Sequence, residues 1–291
     1  MSPSTHHGIT ANLRAFSRDI KLAHTVFALP FAVVAAWLVA QEQAVSSAQW
    51  CWIVVGMFGG RTSAMGFNRL VDQKIDSRNP RTRERALVRG ELDRRWAIAL
   101  TLSSTLLLFL AAAMLHPLAL WMSPGVLFVI WGYSLAKRFT ALCHLWLGAA
   151  LGLAPIAVWV ALTGSIEAPA LVLAGIVCTW VTAFDILYAL QDRIFDEAFG
   201  LRSIPVRLGE RGAMWLSRFL HLGTVGFLIA MPQVVMLDWP YWIGVAAIAA
   251  VLVWEHHLIR PGDLSQMNKA FFTANSTISL MFLAAVVIAT L

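Results

Sequence analysis

Hydrophobic and polar positions come in blocks along this chain rather than alternating. Apolar blocks at 22–40, 48–69, 96–115, 118–135, 142–163, 169–190, 213–235, 239–256 and 271–290 each have about the length an α-helix needs to cross a bilayer. Spans of a β-barrel would be shorter and would alternate apolar with polar residues. The blocks therefore predict an all-α, polytopic membrane protein with about nine transmembrane helices. The first block follows basic residues, as in a signal peptide, but no small-residue cleavage site follows, so it reads as a retained span. Residues 1–20 read as a polar N-terminal segment, frayed or interfacial. Residues 21–291 read as a single transmembrane domain whose main polar loops are 70–95 and 191–212.

Composition agrees with the blocks. Of 291 residues, 59% are hydrophobic and 13% charged, about half the charge of a soluble domain. The net charge of +6 would fit a nucleic-acid binder if it were gathered on one surface. It is distributed by loop instead. Lys and Arg are dense before the first block, between the second and third, and after the fourth, sixth and eighth. The alternate connections at 41–47, 116–117, 164–168 and 236–238 contain none. This positive-inside pattern predicts a cytoplasmic N-terminus and cytoplasmic polar loops, a C-terminus on the opposite side, and residence in the inner (plasma) membrane. Nucleic acid is not an expected partner; the lipid bilayer is. Cys51, Cys143 and Cys178 are isolated in apolar runs, without metal-ligand spacing or disulfide logic.

Two acidic segments change the picture. In "FNRLVDQKID" (67–76), Asn68, Asp72 and Asp76 are spaced four and four. In "FDILYALQDRIFDEAFG" (184–200), Asp185, Tyr188, Asp192 and Asp196 are spaced three, four and four. Each spacing stacks its residues on one helical face. Both faces reach the same side of the membrane. One acid at a helix end is commonly just solvated, but two regular ladders at matched depth call for a counter-charge, because neighbouring carboxylates repel. Magnesium suits them best. It takes oxygen ligands, binds through one or two carboxylates and completes its shell with water and phosphate. Zinc would want the His or Cys that the ladders lack.

Basic residues complete the pattern. Lys21, Arg69, Arg81, Arg85, Lys137 and Arg138 are expected on the same side. With carboxylates and a metal they describe a polyanion site, most simply a diphosphate, although any one of them could serve only as a topology anchor. Arg61 lies inside the second block, seven residues before Asn68 and on nearly the same face. A charge there is costly unless paired or hydrated. It reads either as a clamp for a substrate carboxylate or phenolate, or as a structural ion pair with Asp185. Asn275 reads as a cross-link between helices, and Glu255-His256-His257 as a solvated helix end.

Asn68-x3-Asp72-x3-Asp76 and Asp185-x2-Tyr188-x3-Asp192-x3-Asp196 resemble the two signature motifs of the UbiA superfamily of intramembrane prenyltransferases. "IKLAHTVFALPFA" (20–32), "NPRTRERALVRGEL" (79–92), "KRFT" (137–140) and "GLAPIAVWVALTG" (152–164) fit as well, so the resemblance covers roughly residues 18–290. It implies a ring of nine helices around a central cavity and magnesium-dependent transfer of an isoprenoid chain from its diphosphate to an acceptor. It implies that Asn68, Asp72, Asp76, Asp192 and Asp196 hold the magnesium, with Lys21, Arg69, Arg81, Lys137 and Arg138 toward the diphosphate. Asp185 is then a candidate to orient or deprotonate the acceptor. Tyr188 is a candidate to face the allylic cation, and Arg61 to hold the acceptor. "GFNRLVDQKIDSRNPRTRERAL" (66–87) looks most like the quinone branch, whose substrates would be a polyprenyl diphosphate and an aromatic acid, 4-hydroxybenzoate or a related naphthoate. Haem O synthase-like and tocopherol- or phylloquinone-type acceptors stay open. A membrane transporter is the alternative from another class, but it would place polar groups near the midplane within an internal repeat.

Overall fold

The computed structural model describes residues 8–20 and 29–291. Its regular elements are helical. They run α1 (Ile9–Asp19), α2 (Leu29–Glu42), α3 (Ser47–Asp76), α4 (Ala86–Arg89), α5 (Arg94–Leu115), α6 (Pro117–Ala136), α7 (Cys143–Thr163), α8 (Ala168–Ala189), α9 (Arg193–Ala198), α10 (Ile204–Ala230), α11 (Pro240–Leu258), α12 (Met267–Lys269) and α13 (Asn275–Thr290). A 3₁₀ turn, Leu190–Asp192, joins α8 to α9, and a π-helical turn, Ala270–Ala274, precedes α13. Among the described residues seven helical segments are long and apolar enough to cross a membrane, and α2 is a shorter apolar helix.

Local sequence explains the boundaries. Ser46 and Gln49 form a reciprocal capping box at the start of α3, each side chain accepting from the other's backbone N–H. Asp93 caps α5 by accepting from the Arg95 amide at 2.8 Å. Ser203 caps α10, with Pro205 in its first turn, so this helix begins well before the apolar block at 213. α7 stops at Gly164, whose φ of 73° terminates a helix without Cβ strain.

The main core lies between α2, α7, α8, α11 and α13 and is built on Phe31, Trp159, Trp180 and Phe282. Phe31 packs on Trp180 and Phe282 at centroid distances of 5.2 and 5.1 Å. α7 meets α8 closely at Gly148, where a Cβ would stand 2.4 Å from the Cys178 carbonyl oxygen. Such close approach through small residues is how helices associate where apolar lipid offers no hydrophobic drive.

One sequence expectation is sharpened here and one changes. The polar N-terminal segment contributes helix α1, which buries Ala15 and Phe16 against Leu87, Leu92 and Ala97. Glu255 is not a solvated helix end: it is buried, 3.5 Å from Asn275 Nδ2 and 3.9 Å from His221 Nε2. Asn275 does join α13 to α11 at this point. The apolar block hid this contact because burial depends on partners from distant helices.

Candidate active site

α3 stays helical to Asp76, and the α8–α9 segment runs on through its 3₁₀ turn to Ala198. Asn68, Asp72, Asp76, Asp185, Tyr188, Asp192 and Asp196 consequently all line one polar pocket of about 230 Å³. The two ladders face each other across it.

Cations from two connections, α3–α4 and α6–α7, hold the acids. Arg138 reaches Asp72 at 2.8 Å, Arg81 reaches Asp192 at 2.5 Å and Lys137 reaches Asp196 at 2.7 Å; Arg85 pairs with Asp76. Asp76, Asp192 and Asp196 are nearly buried. Carboxylates in that position would cost several kcal/mol each without such partners. Burial alone would lower the Lys137 ammonium, but Asp196 overrides it and holds this group above the ordinary lysine range. Arg81 is likewise raised, its burial outweighed by the hydrogen bond and charge of Asp192.

The loop that delivers Arg81 and Arg85 is itself pinned. The Asp19 carboxylate at the end of α1 accepts from the Ala86 and Leu87 amides at 2.7 and 3.0 Å. Asn79 donates to Asp192 at 3.1 Å and accepts from the Arg81 amide at 2.9 Å. Arg69 is buried outside the pocket wall. It donates to the Asp19 carbonyl and to Asn68 Oδ1, both at 2.9 Å, and Asn68 donates to Asp72 at 2.9 Å. It touches the pocket only through Asn68. Lys21 lies outside the described residues.

A second, apolar cavity of about 380 Å³ continues inward from the first, and Tyr133, Leu147 and Asp185 line both. Its wall is made of Trp52, Met57, Ala112, Ala154, Phe184, Phe271 and similar residues, with Arg61 among them. Arg61 donates to the Ile20 carbonyl at 3.3 Å. The ion pair with Asp185 is not formed; Asp185 is paired instead with His144, whose Nδ1 is 2.7 Å from its Oδ2. The Tyr188 ring packs 4.2 Å from Phe271, and the Arg81 guanidinium lies 5.3 Å from its centroid.

Asn79, Tyr133 and His144 line the pocket without having been singled out in the sequence. Tyr133 stands one helical turn before Lys137, a spacing that signals a shared face. His144 in an apolar block carries a burial cost that signals a partner.

The donor set fits magnesium. Carboxylates and two amides, Asn68 and Asn79, face cations across a pocket, and among the described residues no three His, Cys, Asp or Glu are grouped closely enough to enclose an ion. A hard cation completing its oxygen shell from a phosphate suits that arrangement; an ion held in a protein-only cage does not.

Helices, polar pocket and inner cavity together define a multi-span membrane protein with a charged chamber opening onto an oily one. The model of the UbiA prenyltransferase family matches residues 28–286, and the chain belongs to this family: it is a prenyltransferase. The 4-hydroxybenzoate octaprenyltransferase of Methylobacillus flagellatus is 32% identical over 219 residues, 74% of this chain and 72% of that one. The mitochondrial 4-hydroxybenzoate polyprenyltransferase of Caenorhabditis elegans is 30% identical over 242 residues, 81% of this chain and 66% of that one. The apo structure of a UbiA homolog from Aeropyrum pernix K1 superposes with a TM-score of 0.83 at 31% identity, covering 92% of this chain and 98% of that one. A UbiA homolog from Archaeoglobus fulgidus bound to DMAPP and Mg2+ shares the fold, with a TM-score of 0.72 at 20% identity, over 94% of this chain and 98% of that one.

Proposed function

We propose that this prenyltransferase moves a polyprenyl chain from polyprenyl diphosphate to an aromatic acid, 4-hydroxybenzoate before a naphthoate, in quinone biosynthesis. The carrying observation is the pair of joined chambers: four acids and four cations in one, apolar side chains in the other, and Asp185 and Tyr133 between them. The names of the relatives favour 4-hydroxybenzoate as acceptor.

Asn68, Asp72, Asp76, Asp192 and Asp196 would hold magnesium, which when bound supplies charge neutralisation for the leaving diphosphate. Arg81, Arg85, Lys137 and Arg138, which now hold the acids, would turn their donors to phosphate oxygens. Lys21 is kept in this group from its sequence position, and Arg69 acts on it through Asn68. The apolar chamber takes the isoprenoid tail and keeps water from the allylic cation formed as the C–O bond breaks. Tyr188 and the aromatic residues beside it offer ring faces to that cation. Arg61 holds the acceptor carboxylate, and Asp185 faces the acceptor ring and takes its proton.

The domain is 21–291 with nine spans in a ring, counting α2 and α3 with the seven segments that are both long and apolar enough to cross a membrane. It lies in the inner membrane, with the N-terminus and the loops 70–95 and 191–212 cytoplasmic. Basic residues on one side of the membrane support this orientation. The test is product mass from purified protein in nanodiscs, given prenyl diphosphate, magnesium and either acid. Prenylated 4-hydroxybenzoate is expected. Prenylation of the naphthoate alone, or of neither acid, would overturn the acceptor assignment.

A further inference from the structure

Four of the five acids in the polar pocket are held by Arg or Lys. The fifth, Asp185, is held by a histidine. It is also the one acid that lines both chambers. His144 sits in the first turn of α7 and is 2% exposed. The distance between its helix and α8 is fixed about one turn away, where Gly148 lets the two backbones close to a separation that a Cβ would forbid. Neither ring nor carboxylate backbone can therefore drift far from the 2.7 Å contact. Among the described residues no donor reaches the other carboxylate oxygen, Oδ1. A carboxylate can turn about its terminal torsion; one fixed N–H on Oδ2 removes that freedom and leaves Oδ1 for another proton.

We propose that His144 is a positioning residue for the transfer step: its Nδ1–H holds Asp185 Oδ2 so that Oδ1 is set to receive the proton of the acceptor ring. In the balanced step, the allylic C–O bond breaks and diphosphate leaves with the electron pair. The acceptor ring carbon then forms the new C–C bond. The electron pair of the ring C–H bond returns to the ring, and its proton passes to Oδ1. An Arg or Lys in place of His144 would answer the Asp185 charge permanently and weaken it as a proton acceptor. A histidine supplies direction through one N–H on Oδ2.

The inference rests on Asp185 acting as that proton acceptor. The test is steady-state kinetics on His144→Leu, His144→Gln and Asp185→Asn, with ordinary and ring-deuterated acceptor. His144→Leu should lower kcat about ten- to hundredfold, by analogy with groups that orient metal ligands. Its KM for prenyl diphosphate should move less than about twofold, and a primary isotope effect should emerge as proton removal becomes limiting. His144→Gln, whose amide can still donate to Oδ2, should recover kcat to within about threefold and lose the isotope effect. A merely structural role would lower the yield of folded protein and leave the isotope effect unmoved. Wild-type kcat in folded His144→Leu, with Asp185→Asn inactive, overturns the role of His144 alone. Wild-type kcat in Asp185→Asn overturns the reading of Asp185 beneath it. Should His144→Leu not fold, His144→Gln decides: low kcat with a large isotope effect contradicts positioning by a single donor.

Discussion

The two chambers of the site are held open by opposite means. In the outer one, every carboxylate of the two ladders except Asp185 has an Arg or Lys against it, and those cations come from connections rather than from the long helices. In the inner one, the wall is almost wholly apolar, and Arg61, Tyr133 and Asp185 are its principal polar members. The outer chamber is a balanced set of charges poised to exchange partners. The inner one is a space between helices walled mainly by apolar side chains. The difference implies separable failures: charge changes should strike binding of the diphosphate and the chemistry, and volume changes should strike the tail.

The largest effect is expected at the outer chamber. Asp192→Asn keeps the shape and a hydrogen-bond acceptor for Arg81 but removes a charge, and should lower kcat about a hundred- to a thousandfold. Size-exclusion profiles should remain those of the parent protein. Activity within a few fold of the parent would break the assignment of the second ladder to the metal and diphosphate.

Next comes the acceptor. Arg61→Ala should raise KM for the aromatic acid by roughly thirtyfold, the lower end of what a desolvated charged partner is worth at about 2 kcal/mol. KM for prenyl diphosphate should hardly change. Arg61→Lys should fall between, because Lys cannot grip a carboxylate bidentately. A rise in KM for the diphosphate alone would move Arg61 into the outer chamber's function.

The inner chamber can be tested by filling it. Ala154→Phe, at a lining position, should cut turnover of long-chain diphosphates about tenfold while sparing the shortest, since a pocket discriminates chain length by the few methylenes it excludes. Equal losses for all chain lengths would point to distortion of the fold.

How much of this was legible beforehand follows the same division. The ladders were readable because a helix at regular spacing turns sequence directly into a face, and the 3₁₀ turn at Leu190–Asp192 did not spoil the second one. The helical blocks were readable for the same reason. The pairing was not. An ion pair with Asp185 was one of two readings of Arg61; Asp185 is held by His144 instead, because which helices touch depends on small residues such as Gly148, whose importance lies in what is missing from them. A central cavity was expected only from the family resemblance, and the lining of the inner chamber was not legible, since a cavity is defined by residues from several helices failing to meet. Residues 1–20 read as frayed or interfacial, and the helix α1 within them was not legible because its amphipathic face is short and polar on average; its Asp19 holds the loop that carries Arg81 and Arg85.

That last contact supplies the smallest expected effect. Asp19→Asn should weaken the two backbone hydrogen bonds by about 1 kcal/mol in all. KM for prenyl diphosphate should rise a few fold, with kcat nearly intact. A change in the acceptor KM instead would mean that α1 acts through Arg61, whose guanidinium donates to the neighbouring Ile20 carbonyl.

The most direct measurement of the two-chamber site is binding of a non-reactive prenyl thiodiphosphate to the detergent-solubilised protein by calorimetry, with inorganic diphosphate as competitor. Binding should require magnesium, vanish with EDTA, and be lost in Asp76→Asn and Asp192→Asn. In Ala154→Phe inorganic diphosphate should still bind while the long-chain analogue weakens. Tight, magnesium-independent binding that survives both acid substitutions would contradict it, because the tail alone would then be holding the substrate.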